Sequence, residues 1–263
     1  MADETTKGII DKADGVLVEV YKDAASPMIK PIGEILGFLP RTLKLAFSGW
    51  EKWLINGEET IRLTAESVRE KIKNIPEEKL VEPESYVAIP AMQQLSYCVN
   101  NEELRELYAN LLVSSMNADK KWQVHPAFVD IIKQLTPDEA RLLKALTPTV
   151  IIVNPLIDVQ LVHNGDQGYY DLFTNFTTVG IDKIDKPDNI CAYIDNLERL
   201  KLISVSSTKI MKDISEYQDI ETSELLHKRL PNNMPSVEFK IHFKHKSFSI
   251  TNFGIDFINI CCN

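Results

Sequence analysis

Ile190-Cys191-Ala192-Tyr193-Ile194-Asp195-Asn196-Leu197-Glu198-Arg199-Leu200-Lys201-Leu202-Ile203 is the stretch on which the fold turns. Pro187 opens it, at the one helical position where a missing N–H costs nothing. Ile190, Tyr193 or Ile194, Leu197 and Leu200 recur at helical spacing, and the run passes straight into a strand. Further on, Val237, Phe239, Ile241 and Phe243 alternate with Glu238, Lys240, His242 and Lys244, the pattern of a half-buried strand. Ser249 to Phe257 then reads as a capped terminal helix. Helix, strand, long hairpin, strand, helix is the order of a winged-helix module, a reader of DNA or of proteins rather than a catalyst. Its expected inward set is Ile190, Ile194, Leu197, Leu200, Ile203, Phe239, Ile241 and Phe257.

Upstream of this module the pattern is helical. Residues 86–98 carry Tyr86, Ile89, Met92, Leu95 and Cys98 at helical spacing. Asn100 with Glu103 suggests a capping box for a second helix, whose face is Leu104, Leu107, Tyr108, Leu111, Leu112 and Met116. Pro126 starts a third. Thr136-Pro137-Asp138-Glu139 starts a fourth, with Thr136 as cap, Pro137 at the first position and Glu139 reaching back. After Pro148 the chain turns β-rich at residues 149–153. Asn164-Gly165-Asp166 reads as a turn, and residues 169–182, with Tyr169, Tyr170, Leu172, Phe173 and Phe176, as a short helix.

Towards the N-terminus, apolar residues from Leu43 to Ile75 are spaced by threes and fours, a long helical pattern. Residues 8–25 suggest a further helix. The charged, proline-flanked residues 76–86 are the best candidate for a linker. The fold class expected is mainly α with a small β component (α+β): an N-terminal helical domain plus a C-terminal winged-helix-like module. The division is 1–83 helical region, 84–147 helical core and 148–263 winged-helix-like module.

Composition narrows function. The chain has 263 residues, 38 acidic against 29 basic, and a net charge of −9, so as a whole it repels nucleic acid. The start, Met1-Ala2-Asp3-Glu4, has no basic or apolar segment of a signal peptide. No uncharged apolar run reaches the roughly 18 residues of a spanning helix. The four cysteines, at 98, 191, 261 and 262, form no Cys-x-x-Cys pair, which fits reduced thiols and a cytoplasmic location.

Asn101 to Leu112, then His125-Pro126-Ala127-Phe128-Val129, then Gln134-Leu135-Thr136-Pro137-Asp138-Glu139-Ala140, together resemble the Abi-alpha family of predicted bacterial abortive-infection proteins. The resemblance extends over roughly residues 40–260 and is clearest between 84 and 146. It implies a role in phage defence, and it brings no catalytic residues with it.

Each residue set that could carry function also has a plainer role. As a DNA recognition helix, 188–201 sets Asp188, Asp195 and Glu198 against Arg199 and Lys201, a poor face for phosphates, so a structural or protein-binding helix is expected. Lys240, His242, Lys244, His245 and Lys246 form a basic strand. Lys240, Lys244 and Lys246 could touch nucleic acid as a wing, although lysines also commonly protect a sheet edge. Pro187-Asp188 with Glu238-Phe239-Lys240 mimics a nuclease metal site, but its first half is an ordinary helix start. The histidines show no metal spacing, and no catalytic residue, metal or cofactor is expected. In residues 28–50 the stripe Ile32, Leu36, Leu39, Leu43, Phe47 and Trp50 suits a protein interface or a membrane surface, with burial against residues 58–75 as the plainer role. The function expected is a non-enzymatic phage-defence effector or regulator of the abortive-infection type. It would act through contacts with a phage or host protein, or as a homo-oligomer. The alternatives are a DNA-binding winged-helix regulator and a membrane-active toxin using residues 28–50.

Overall fold

A computed structural model describes residues 63–146, 153–231 and 239–263, apart from residues 65, 96, 99, 164, 166 and 167. The stripe Ile32, Leu36, Leu39, Leu43, Phe47 and Trp50 and the expected helix at 8–25 therefore lie outside the described residues. Of the long pattern from Leu43 to Ile75, residues 63–72 are seen as helix α1, with Val68 buried against the core.

Residues 76–86, read as a linker, are fastened to the fold. A 3-10 turn at Glu77–Lys79 leads to Leu80, which bridges Asn117 in antiparallel sense. Val81 N–H donates to Met116 O and Ala118 N–H to Lys79 O, each at 2.9 Å. The charged side chains stay solvated while the backbone pairs, a combination that composition does not distinguish from a free linker.

Four helices follow: α2 (Ser85–Leu95), α3 (Glu102–Ser115), α4 (Ala127–Lys133) and α5 (Pro137–Ala145). The expected face of α3 is inward, with Leu107 and Leu111 fully buried. Its expected capping box is absent: Asn101 is the cap residue, without a side-chain bond, and Glu103 pairs instead with Arg141 of α5. A charge-assisted bond to a guanidinium is stronger than one to a backbone N–H. At α5 the predicted box is complete. Glu139 N–H donates to Thr136 Oγ1 at 3.2 Å, and Thr136 N–H to Glu139 Oε2 at 2.6 Å.

The β part is one antiparallel four-stranded sheet in the order β2-β1-β4-β3. Its strands are β1 (Val153–His163), β2 (Tyr169–Phe176), β3 (Ile203–Ser206) and β4 (Phe239–Ile250). Here the expected helix at 169–182 is corrected to a strand. The spacing of Tyr169, Leu172, Phe173 and Phe176 imitates a helical stripe. The aromatic side chains nevertheless favour a pleated surface, and pairing with β1 decides the outcome. Register irregularities within Ile157–Gln160 spoil the clean alternation that would have marked the strand in sequence.

Helix α6 (Ile190–Arg199) enters through a 3-10 turn at Pro187–Asn189 and ends in a Schellman motif. Lys201 takes φ 61°, its N–H reaches Glu198 O at 2.9 Å, and Leu202 N–H reaches Leu197 O at 3.0 Å. After β3 the connection contains two short helices absent from the sequence reading, α7 (Ser215–Glu221) and α8 (Glu224–Arg229). Strand β4 continues to Ile250, through residues expected to begin the last helix. That helix, α9 (Asn252–Phe257), is capped by Thr251, whose Oγ1 accepts from Gly254 N–H at 2.9 Å. A π-helical turn, Ile258–Cys262, follows.

The architecture is thus mixed helix and strand. The order helix, strand, strand, helix is present in α6, β3, β4 and α9, with β1 and β2 added on the far side of β4. One core of buried apolar side chains extends from Val68 to Cys261. Of the expected inward set, Ile190, Ile194, Leu197, Leu200, Ile203 and Phe257 are buried. Phe239 and Ile241 are only half-buried, because they lie at the end of β4 remote from α9.

Candidate interaction surface

Strand β4 carries the basic residues singled out in sequence. Residues opposite one another across antiparallel strands share a face. Lys240 lies opposite Val162, His242 opposite Gln160 and Lys244 opposite Asp158. Two strand residues span about 6.8 Å, so these three side chains form an evenly spaced row. Lys240 and His242 are exposed and Lys244 is half-buried. On the other face Phe239, Ile241 and Phe243 are half-buried. Two tyrosines stand at the same end of the sheet: Tyr169 (56% exposed) joins the Lys240 row through Val162, and Tyr170 (69% exposed) lies with Ile241 through Leu161.

Among the described residues, the row lies beside a strand edge that no further strand pairs. Strand β3 pairs with Phe248, Ser247, Ser249 and Ile250 only. Among the described residues, Phe239–Lys246 has a strand partner on one side alone, β1. Also among the described residues, neither Lys240 nor Lys244 is held in an ion pair.

Lys246 requires a correction. It was read as a third wing cation, yet it is only 9% exposed. Its Nζ donates to Asp158 Oδ1 at 2.9 Å and to Asn175 Oδ1 at 2.6 Å. Asn175, at φ 58°, donates its own N–H to Asp158 Oδ1 at 3.0 Å and its side-chain amide to Asp195 Oδ1 at 2.6 Å. The buried cation is therefore paired with a carboxylate and bonded a second time, the condition under which burial is tolerated. Its partner is 88 residues away in sequence, so the local run of lysines gave no sign of it.

The polar side of α6 is likewise committed inside the protein. Asn196 donates to Gln134 O and Glu139 Oε1, Arg199 to Gln134 Oε1, and Val205 N–H to Glu198 Oε1. Tyr193 O–H donates to Asp138 Oδ2 at 2.9 Å. Asp138 is a hub: it also accepts from Asp185 N–H, Lys186 N–H and the Arg141 guanidinium. Burial acts to raise its carboxyl. The Asp185 N–H, Arg141, Tyr193 and the Lys186 N–H outweigh burial and hold the group down at about 2. Arg141 also binds Glu103 and Asp185, tying α3, α5 and the approach to α6 together.

His242 and His245 do point to opposite faces. His245 stacks on Tyr217 at 4.0 Å and meets Glu221 at 2.7 Å. Of the nuclease-like pairing, Pro187 forms its helix-opening turn, and Glu238 lies outside the described residues. Among the described residues, no group of three or more His, Cys, Asp or Glu side chains is placed to hold a metal, and no helix is long and apolar enough to cross a membrane. The cysteines are unbridged. Burial pushes Cys98 up to about 11 and Cys262 up to about 12.

A further exposed aromatic, not singled out from the sequence, belongs to a 3-10 turn in the helical part of the fold. Trp122 is 78% exposed, its Nε1 donating to Asp119 O at 2.9 Å, close to the Leu80–Asn117 bridge.

Comparison with known proteins places these features in context. A family model described as abortive infection alpha matches residues 56–261. No curated protein matches the chain, and no solved structure does.

Proposed function

We propose, from the premise that this chain belongs to the abortive infection alpha family, that it is a phage-defence effector or regulator working through protein–protein contacts, with no catalytic step of its own. Membership is the observation that carries the defence role. The contact reading is supported by where the polar groups are spent. Asp138, Arg141, Asn196, Arg199 and Lys246 are used to join elements of the fold. Among the described residues, Lys240, His242, Lys244, Tyr169 and Tyr170 stand exposed or half-exposed without being used in this way. The winged-helix-like order from α6 to α9 is, in this reading, a scaffold that presents β4. The commitment of α6 side chains favours protein over DNA as the thing presented to, and a cytoplasmic site of action goes with that role.

Phage challenge tests the proposal. Bacteria expressing the chain should show reduced phage plating and a reduced burst per infected cell, with infected cells failing to survive. Unchanged plating and burst across a phage panel would overturn the defence role.

A further inference from the structure

We infer that the open edge of β4, from Phe239 to Lys244, takes up an extended segment of another protein in which acidic and apolar residues alternate. The inference rests on the protein-contact reading above and specifies the chemistry of the partner. An unpaired strand edge offers backbone N–H and C=O groups in ladder register, and adding a strand satisfies them. The side chains beside that edge then select what is added. One face presents Lys240, His242 and Lys244; the other presents Phe239, Ile241 and Phe243. A strand laid alongside has the same two-residue period, so acids at every second position meet the cationic row. The residues between them meet the half-buried aromatic and aliphatic row and complete its burial.

Charge argues for this occupant over the two nearest rivals. The chain carries a net −9, so a cationic edge is a local exception to it. A second copy joined edge to edge in antiparallel sense about His242 would set Lys240 against Lys244 twice over, and like charges directly opposite are destabilising. A nucleic-acid strand could use the cationic row, but it would leave the apolar row and the backbone edge unused.

The experiment uses the full chain and a fluorescent, end-blocked seven-residue peptide of alternating Glu and Val, with binding followed by anisotropy at physiological salt. The expected result is saturable binding, absent for the matching Lys-Val peptide. K240E together with K244E should weaken the Glu-Val peptide by about tenfold or more and should confer binding of the Lys-Val peptide. That gain of binding cannot come from misfolding. Methylating the peptide backbone N at alternate residues should abolish binding in one register and spare it in the other. The inference is overturned if neither peptide binds, if N-methylation in both registers is harmless, or if only an oligothymidylate of equal charge binds. Phage protection by the unaltered chain alongside any of those results would leave the defence reading standing and remove only this one.

Discussion

Gly254→Ala should destabilise this protein, although the same change in most helices does the reverse. In an ordinary helix interior alanine gains about 1 kcal/mol over glycine. At Gly254 a Cβ would lie 2.0 Å from Leu202 O and 2.9 Å from both the Leu202 carbonyl carbon and Ile250 Cγ2. The obstacle is backbone and is itself bonded: Leu202 O accepts from Thr251 N–H at 3.0 Å, and Thr251 Oγ1 donates to Lys201 O at 2.6 Å. Helix α9 must therefore retreat by roughly an ångström. It then loses the Gly254 N–H to Thr251 Oγ1 bond and the Thr251 N–H to Leu202 O bond, and strains the corner between α6 and β3. Two hydrogen bonds at about 1 kcal/mol each, plus about 1–3 kcal/mol of overpacking, exceed the propensity gain and leave a net loss of about 2–4 kcal/mol. Urea unfolding followed by circular dichroism measures this directly, and the midpoint of thermal melting should fall by roughly 5–15 °C. Gly168→Ala is the comparison: nothing lies within 4 Å of its Cβ position, so only its φ of 98° opposes the change. A Gly254→Ala protein as stable as the parent, or more so, would refute the close-approach argument.

Lys201→Gly should stabilise by about 0.5–1 kcal/mol, because the exposed αL position ending α6 suits glycine; a loss of stability in the same melt would count against the Schellman geometry. Asp138→Asn should cost about 2–4 kcal/mol, since an amide N–H₂ in place of either oxygen would face two of the four donors. The carboxyl of Asp138 is held at about 2, below its ordinary 3.8, so its contribution is complete above the ordinary value and is lost as pH falls through about 2. Stability measured from pH 5 to pH 2 should fall less steeply in the Asn variant than in the parent. Leu197→Ala empties a fully buried site and should cost about 2–5 kcal/mol by denaturant titration, with a loss under about 0.5 kcal/mol incompatible with the packing of α6. Cys98 and Cys261 should react with a thiol reagent at pH 8 no faster than the protein unfolds, because both are buried and burial keeps them protonated; rapid native labelling would contradict that burial.

The parts legible in the sequence were those where local chemistry and tertiary outcome agree. Thr136 and Glu139 form the box their spacing announces, and the stripe of α6 is the buried stripe. Legibility failed where a distant partner overrode local pattern. Glu103 left its expected cap for Arg141, 38 residues on. Tyr169 to Phe176 gave up a helical rhythm for a place beside β1. Lys246 shares a strand face with Lys240 and Lys244, and nothing nearby distinguishes it from them; Asp158 and Asn175 alone turn it inward. Strand alternation thus located Lys240 and Lys244 correctly. It could not show that no described strand pairs with the edge beside them, because that depends on β3 covering no more than the last residues of β4. The helices α7 and α8 are short and mostly polar, and they form where packing against the sheet makes up for a length that is marginal for an isolated helix.

The π-helical turn at Ile258–Cys262 also bears on synthesis. Its backbone is grasped from α3, where Asn110 donates to Cys261 O at 2.9 Å and Ser114 donates to Ile260 O at 3.0 Å. These bonds join residues 151 and 146 apart in sequence. Helix α3 therefore leaves the ribosome long before the residues that close its inner face exist. A nascent chain halted anywhere in between carries two buried-type amide and hydroxyl groups, and the apolar surface around them, with nothing to meet. Such fragments are natural substrates for chaperones and proteases. The inner face of α3 is thus closed only once residues 260 and 261 have been made.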